Sequence, residues 1–483
     1  MKSLNLVGSA LLLGLAVVAG GCRAVAPPDS PSAPWTPPDW AGEEAARDPE
    51  AISLRPAADL SAPLTLAECA DIALANNPAT RRAWAAARAA AAGLGQAASL
   101  RYPRLTVSGE GTYQRQKYNL REEAPGLDAD VDGFVYGPAL ELTYLLFDFG
   151  GVSGGIEEAR QGLLAANYSF NRSIQDLLLE VGTAYYGLNS ARSGLSAAEA
   201  DVEDARTADQ AAREKYQVGL VSKLDELQAR SSYQDSLYRL ETARGELETA
   251  RAGLARALGF SPGPDFEIAD PGEGIPSELS ETDVAELIER GLRLRPDIAA
   301  LRAGLRGREA ALRAARSSLY PSLNLGGSAN QLWYEYNSGP ELYDDSYSYS
   351  GYLALKWDIF TGFSDRARAR QAEAEREAAR EDLAAAELDA AADVWNRYYA
   401  YNTAVRKYQF SRAYLETSRE SYNLARDSYD NGLKSILDLL QSQSDLSTAR
   451  SQLISAERDV FVALAELTYS TGTLTREGLA GAE

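Results

Sequence analysis

An internal duplication, marked by a glycine-containing motif, constrains this chain more than any other feature. The segment YQVGLVSKLDELQ at 216–228 recurs as YDNGLKSILDLLQ at 429–441, with Tyr, Gly, Leu, Ser, Asp, Leu and Gln in register. Both copies interrupt what otherwise reads as a long helical region, at the same glycine. Two copies of one unit are expected to build the same supersecondary structure twice.

The duplication covers most of the chain. LRYPRL at 100–105 matches SLYPSL at 318–323, and the motifs NNP and LRP match at the same offset. The sequence therefore predicts a first repeat at 65–258 and a second repeat at 281–472. A connector rich in Pro and Gly joins them at 259–280, and a short tail follows at 473–483.

Each repeat is predicted to begin with an alanine-rich helix, at 66–99 and 281–317. A Tyr-Pro pair ends each helix, because the residue before proline disfavours the helical conformation. Two segments of period-two alternation follow, which is typical of strands whose faces meet different environments. The four predicted strands are RLTVSGEGTY (104–113), FVYGPALELTYLLF (134–147), SLNLGGSANQLWYEY (322–336) and YSYSGYLALKWDIF (347–360).

The period then changes to that of long coiled helices. Residues 152–213 would form one helix of about 93 Å at 1.5 Å per residue, and 364–427 a similar one. After the second motif, large and small residues alternate in a seven-residue repeat, which predicts left-handed supercoiling and close helix approach. The large positions are Leu439, Leu446, Leu453, Val460 and Leu467, and the small ones are Ser442, Ala449, Ala456, Ala463 and Ser470.

Composition excludes several classes of function. The formal net charge of −21 argues against nucleic acid as a partner, because phosphate binding needs basic clusters. The chain has no histidine and two cysteines, so we expect neither a metal site nor a cofactor. Carboxylates are the abundant chemical group, and isolated pairs of them are typical of solvated helix faces. We therefore do not expect an enzyme.

The N-terminus is predicted to direct export. Residues 1–21 contain a lysine and then an apolar run too short to span a bilayer, as in a secretory signal peptide. Small residues precede Cys22, which resembles a bacterial lipoprotein cleavage site and predicts lipidation of Cys22. The alternative is an ordinary signal peptide with an incidental cysteine. The proline-rich stretch within 22–64 would be a semi-rigid spacer between anchor and body.

Four strands in one chain cannot close a barrel, and open strand edges are not tolerated in lipid. If the aromatic-rich strands span a membrane, several chains must therefore share one barrel. Three chains would contribute twelve strands. The soluble alternative is a small sheet that caps a coiled coil.

The sequence resembles the TolC-like outer membrane efflux protein family, in its lipoprotein (OprM-like) branch. The resemblance rests on the duplication, ALANNP and LRLRPDI, the two Tyr-Pro pairs, LLFDFGG, WDIFTGF and the two Tyr-x-x-Gly-Leu motifs, all in this order. It implies an α+β membrane protein with long α-helical coiled-coil hairpins and four β-strands per chain. It further implies a homotrimer that shares a 12-stranded β-barrel in the outer membrane and an α-helical periplasmic tunnel.

The duplicated motif would then be the turn at the periplasmic tip of each helical hairpin. Ser222 and Ser435 can cap the returning helices, with Asp225 and Asp438 three residues on. These residues could be helix caps and nothing more. The resemblance implies that the tip also docks a periplasmic adaptor (membrane fusion protein), through Gly219, Leu220, Ser222, Gly432, Leu433 and Ser435.

The resemblance also implies a gate at the tip. In family members a carboxylate of the first hairpin is linked to a tyrosine and a basic residue of the second, and the matching residues are Asp225, Tyr429 and Lys434. Lysine lacks the paired donors of arginine, so this lock should be weaker. Asp438 matches a carboxylate that projects into the tunnel, where three copies would form an acidic ring.

Three functions remain open at this point. The leading hypothesis is the exit duct of a tripartite efflux system, which passes small molecules outward with an inner membrane pump and an adaptor. The alternatives are the outer membrane component of type I protein secretion and a periplasmic coiled-coil scaffold or adaptor lipoprotein. Adaptors carry one helical hairpin and soluble β domains, whereas this chain repeats both its hairpin and its strand pair. The duplicated pattern therefore argues against an adaptor.

Overall fold

The computed structural model of the protein describes residues 30–32, 35, 62–118, 129–261, 266–270, 284–338 and 344–476. The predicted signal peptide and the predicted lipidation site Cys22 lie outside these residues. So do most of the proline-rich segment, much of the connector and most of the C-terminal tail.

Within the described residues, the order of elements is the same in both halves of the chain. The first half contains α1 (Leu66–Asn76), α2 (Pro78–Ser99), β1 (Arg104–Tyr118), β2 (Ala129–Phe147), α3 (Gly151–Gln217) and α4 (Lys223–Ala257). The second half contains α5 (Val284–Leu294), α6 (Pro296–Ser317), β3 (Ser322–Ser338), β4 (Asp345–Lys356), α7 (Ser364–Asp430) and α8 (Ile436–Ser470). The prediction of long helical hairpins with four strands per chain is confirmed.

The two long hairpins have matching dimensions. Helices α3 and α7 are each 67 residues long, or about 100 Å. The return helices α4 and α8 are each 35 residues long, about half that length. In the described part of the chain, no helix combines the length and the apolar character required to cross a bilayer.

The prediction of one continuous helix at the start of each repeat was wrong. Asn77 separates α1 from α2, and Arg295 separates α5 from α6. Both residues have extended backbones, with φ −68° and ψ 129° at Asn77 and φ −63° and ψ 123° at Arg295. The cause is the proline that follows each of them, which disfavours helix in the preceding residue but is well placed to start the next helix.

Each break packs against the end of a return helix. The Asn77 side-chain amide donates to the carbonyl of Ala257, the last residue of α4, at 3.1 Å. In the second repeat, Nη1 of Arg295 donates to the carbonyl of Ser470, the last residue of α8, at 3.4 Å. The repeats therefore form the same joint with different side chains.

The four strands form one antiparallel sheet in the order β1-β2-β3-β4. Leu105 lies opposite Leu142 between β1 and β2, and Leu325 lies opposite Leu353 between β3 and β4. The fourth strand ends at Lys356, four residues before its predicted end. In the described chain, β1 and β4 each pair along one edge only.

The two faces of the sheet differ in polarity, as the alternation predicted. On the opposite face from the apolar side chains, Oγ of Ser328 and Oγ of Ser350 lie 2.9 Å apart, and Ser348 bonds to Asn330. The apolar face is exposed and carries Leu105, Val107, Tyr113, Phe134, Tyr136, Leu140, Leu325, Trp333, Tyr347, Tyr349, Leu353 and Leu355.

Helix α3 holds the two hairpins together, since it packs against α4, α6 and α8. The heptad positions of α8 are buried as predicted, except that Leu453 is half-buried. Near the tips, a separate core cluster joins the two hairpins. Its members are Ala208, Ala212, Ala229, Tyr422, Tyr429, Ile436, Leu439 and Leu446.

The N-terminal segment contacts α3 through Trp35. The Trp35 backbone N–H donates to Oδ1 of Asn171 at 2.7 Å, and Nδ2 of Asn171 donates to the Trp35 carbonyl at 2.7 Å. The indole is buried and lies edge-on to the Tyr168 ring, with centroids 5.4 Å apart.

Candidate functional site at the helical tips

Two tight turns form the end of the helical body. At the first turn Gly219 has φ 77°, and at the second Gly432 has φ 74°. This left-handed conformation favours glycine and ends a helix so that the chain can reverse. The Leu220 N–H reaches back to the Lys215 carbonyl at 2.8 Å, which satisfies a carbonyl of the last helical turn.

Both return helices begin with the predicted capping box. Oγ of Ser222 accepts from the Asp225 backbone N–H at 3.3 Å, and Oδ2 of Asp225 accepts from the Ser222 N–H at 2.8 Å. The bonds between Ser435 and Asp438 repeat this arrangement at 3.3 and 3.1 Å. Hydrogen bonds from the Ser435 side chain and backbone lower the pKa of Asp438, and the charge of Lys434 adds to this.

The tips also expose apolar side chains. Leu220 is 74% exposed and Leu433 is 79% exposed. Leu224 and Leu437, one turn further along each return helix, are exposed as well. We call these four residues the tip leucines. Because they occupy equivalent positions in the two repeats, each hairpin presents the same apolar pair.

The structure brings only some of the predicted gate residues together. Tyr429 is buried, and its hydroxyl has no hydrogen-bond partner among the described residues. Burial raises the pKa of Tyr429, and the negative charges of Asp225 and Asp430 raise it further, so Asp225 lies within electrostatic range. Lys434 instead lies 3.8 Å from Asp438 on its own hairpin.

A lysine that was not predicted from the sequence makes a polar contact between the hairpins at the tips. Nζ of Lys215, on α3, lies 3.9 Å from the centroid of the Tyr429 ring and donates to the Tyr429 carbonyl. The signal that could have found Lys215 is a difference between the repeats, because the equivalent position holds Ser428.

A second link between the two hairpins, an ion pair that was also not predicted, lies farther from the tips. Nη1 of Arg450, on α8, lies 3.1 Å from Asp204 on α3 and also bonds to Asp201. Tyr422 packs in the cluster below, where burial, with the Asp204 charge and hydrogen bond, raises its pKa to about 12. These contacts position the helices relative to one another. In the described residues, no group of acidic or cysteine side chains could hold a metal ion.

Comparison with known proteins agrees with this architecture. A family model described as outer membrane efflux protein matches residues 70–260 and 287–473. The chain belongs to the outer membrane efflux protein family. Its location in the outer membrane and its role as an efflux channel, both predicted from the sequence, follow from this membership.

Individual relatives of this efflux channel cover most of its length. Protein CyaE of Bordetella pertussis is 32% identical over 345 residues, which are 70% of this chain and 69% of CyaE. Outer membrane protein OprJ of Pseudomonas aeruginosa is 28% identical over 426 residues, 86% of this chain and 85% of OprJ. The structure of the outer-membrane channel OprN has the same fold, with a TM-score of 0.74, 24% identity and coverage of 85% and 90% of the two chains.

Proposed function

We propose that three copies of the chain form one passive exit duct across the outer membrane and the periplasm. The duct would receive small molecules from an inner membrane pump through a periplasmic adaptor. The observation that carries this proposal is a four-stranded sheet with an exposed apolar face, whose outer strands β1 and β4 pair on one side only among the described residues.

The open edges call for partner strands. An unpaired strand edge in hydrocarbon leaves backbone N–H and C=O groups without hydrogen bonds, each at a cost of several kcal/mol. Strands β1 and β4 are 15 and 12 residues long, sufficient for the roughly 9–11 residues of a tilted membrane strand. Pairing of β4 with β1 of the next copy would remove every edge and close a barrel.

The number of copies follows from the space that a duct needs. Two copies would give eight strands, and a barrel of about eight strands has an interior filled by its own side chains. Three copies would give twelve strands and leave a passage, in agreement with the trimer that the family resemblance implies. The exposed apolar face would then contact lipid, and the face with Ser350 would line the passage.

The tips are the proposed docking site for the adaptor. The tip leucines expose apolar area beside two equivalent turns, and a trimer would present six such tips in a ring. This geometry suits helical hairpins that pack as additional members of the coiled coil. The residues proposed for contact remain Gly219, Leu220, Ser222, Gly432, Leu433 and Ser435.

A lipid anchor on Cys22 would support the barrel from the periplasmic side. Trp35 fixes the N-terminal segment to α3, thirteen residues after Cys22. At up to about 3.3–3.6 Å per residue, that spacer can reach on the order of 45 Å from the helical body to the membrane. The anchor would add to insertion by the barrel rather than replace it.

Small organic molecules are the proposed cargo. A fusaric acid resistance protein of Burkholderia cepacia and a toluene efflux pump protein of Pseudomonas putida are relatives whose names state such compounds. The chain itself would hydrolyse nothing, and the energy for export would come from the inner pump.

Paired arginine substitutions on the two faces of β4 test the proposal. Arginine on the lipid side of a membrane strand costs about 2–4 kcal/mol at the bilayer midplane. Leu353→Arg should therefore reduce the amount of protein in outer membranes, whereas Ser350→Arg, on the opposite face, should leave it close to wild type. Unheated gels should show an oligomer of three mature chains, each somewhat below 52.0 kDa because the predicted signal peptide would be removed. Planar bilayers should show single-channel conductance.

A periplasmic scaffold would behave differently. It would tolerate both arginines equally, would give no conductance and would not need a trimer. Any of these results for the folded protein would contradict the proposed duct.

A further inference from the structure

Lys215 connects the two hairpins of one chain at their tips. It lies two residues before the end of α3 and points at the last turn of α7. Its ammonium donates to the carbonyl of Tyr429 and lies 3.4 Å from the carbonyl of Asp430. The same ammonium lies 3.9 Å from the centroid of the Tyr429 ring.

These three contacts suit a cation. The last carbonyls of a helix lack partners within the helix and form the negative end of its dipole. An ammonium group offers three donors, so it can bond both carbonyls at once. Tyr429 is only 2% exposed, which strengthens the cation–π contact because water is largely excluded.

Only the first repeat supplies a lysine for this link. The residue equivalent to Lys215 in the second repeat is Ser428, which has no cationic group to place on another helix end. Tyr216, the equivalent of Tyr429, is 39% exposed. Its ring receives Lys223 of its own hairpin, with Nζ 4.9 Å from the centroid.

We propose that Lys215 is a clasp that holds the two hairpins of each protomer together at the periplasmic tip. The proposal rests on the proposed function, a duct formed by three copies, and on the gate at the tips that the family resemblance implies. Within one chain the clasp resists separation of the two hairpins at their tips, and its loss would let the tips splay apart. The link of Arg450 to Asp201 and Asp204 lies more than three helical turns above, so loss of Lys215 frees only the last part of the hairpins.

Two lysine variants separate the clasp from a general effect of charge. Lys215→Met removes the link between hairpins, and Lys223→Met removes a lysine that contacts only its own hairpin, at Tyr216 and Glu226. In planar bilayers, Lys215→Met should raise the time-averaged single-channel conductance at least about twofold, because splayed tips widen the constriction. Lys223→Met should match wild type, and Lys215→Arg, which keeps the charge and the donors, should stay close to wild type.

Each outcome has one meaning. Absence of conductance in the wild-type trimer would overturn the proposed function itself. A conducting wild type with an unchanged Lys215→Met variant would overturn the clasp alone. Equal increases in conductance in the Lys215→Met and Lys223→Met variants would also overturn the clasp. So would loss of the unheated trimer band in Lys215→Met but not in Lys223→Met, because a clasp at the tip is not required for assembly.

Discussion

Replacement of Arg295 by methionine tests how much ion pairing stabilises the joint between α5 and α6. The guanidinium is 9% exposed and forms paired bonds to Asp297, with Nε–Oδ1 at 3.2 Å and Nη2–Oδ2 at 2.9 Å. Nη1 also donates to Oδ2 of Asp393 at 2.9 Å. Methionine keeps an unbranched side chain but none of these donors, so both carboxylates would lose this partner.

The size of the loss follows from burial. Removal of one partner from a fully buried ion pair costs roughly 3–5 kcal/mol, because the other charge stays buried without compensation. Here Asp297 is 34% exposed and Asp393 is 32% exposed, so water can solvate both. We therefore expect Arg295→Met to lower the free energy of unfolding by about 2–3 kcal/mol at neutral pH.

The same pair makes the loss depend on pH. Burial alone would raise the pKa of Asp297, but hydrogen bonds from Arg295 and the charges of Arg172 and Arg295 outweigh it, and the pKa falls below its ordinary value of 3.8. A group with a lowered folded-state pKa stabilises the protein above its unfolded pKa, and this stabilisation is lost as pH falls through the folded pKa. The difference between wild type and Arg295→Met should thus be full at pH 7 and shrink below about pH 4.

Urea titrations of the protein in detergent micelles, followed by far-ultraviolet circular dichroism at pH 7 and pH 3, measure both effects. Arg293→Met is the matched control, because Arg293 is exposed in the last turn of α5, two residues before Arg295. Equal losses in the two variants, or a difference for Arg295→Met that is the same at both pH values, would refute the reasoning.

Three further predictions concern other parts of the molecule. Gly472 has φ 72°, and an added Cβ would lie 2.8 Å from the backbone nitrogen of Arg295, so Gly472→Ala should lower the thermal midpoint more than Gly432→Ala, which has φ 74° and open space. Asp438→Asn should reduce the cation selectivity measured from reversal potentials, and unchanged selectivity would exclude the proposed acidic ring. Cys22→Ala behind a cleavable signal should still yield outer membrane protein in gradient fractions, and its absence there would mean that the strands do not insert by themselves.

The sequence predicted the fold well where the signals were periodic. Period-two alternation located the four strands and the seven-residue repeat located the hairpins, because both patterns record that the faces of an element meet different environments. The breaks at Asn77 and Arg295 were missed although the same proline rule was applied at the two Tyr-Pro pairs. The alanine-rich composition of 66–99 and 281–317 favours one continuous helix in each, although proline disfavours helix in the residue before it.

At the candidate site, too, the local features were predicted from the sequence and the long-range contacts were not. The capping boxes at Ser222 and Ser435 depend on residues three positions apart, so local sequence was sufficient to predict them. The contact from Lys215 to Tyr429 joins residues 214 positions apart. It depends on how the end of α3 lies relative to the end of α7, which no local pattern records.

The joint at Arg295 shows how the two repeats diverged and how that divergence can be reversed. The first repeat has Asn77-Pro-Ala79, in which Oδ1 of Asn77 accepts from the Ala79 N–H at 2.9 Å and its amide donates to Ala257. The second repeat has Arg295-Pro-Asp297, so Arg295→Asn combined with Asp297→Ala rebuilds the first joint.

The double variant removes one of the two carboxylates that lose Arg295, and the other, Asp393, keeps Arg397 with Nε 3.4 Å from Oδ1. The new asparagine can still donate to the Ser470 carbonyl, as Asn77 does to Ala257. We therefore expect the double variant to recover most of the stability that Arg295→Met loses, in the same urea titration. A double variant no more stable than Arg295→Met would mean that the two joints are not interchangeable. The guanidinium itself would then stabilise the second joint, beyond the hydrogen bond to the Ser470 carbonyl and the pairing of the carboxylates.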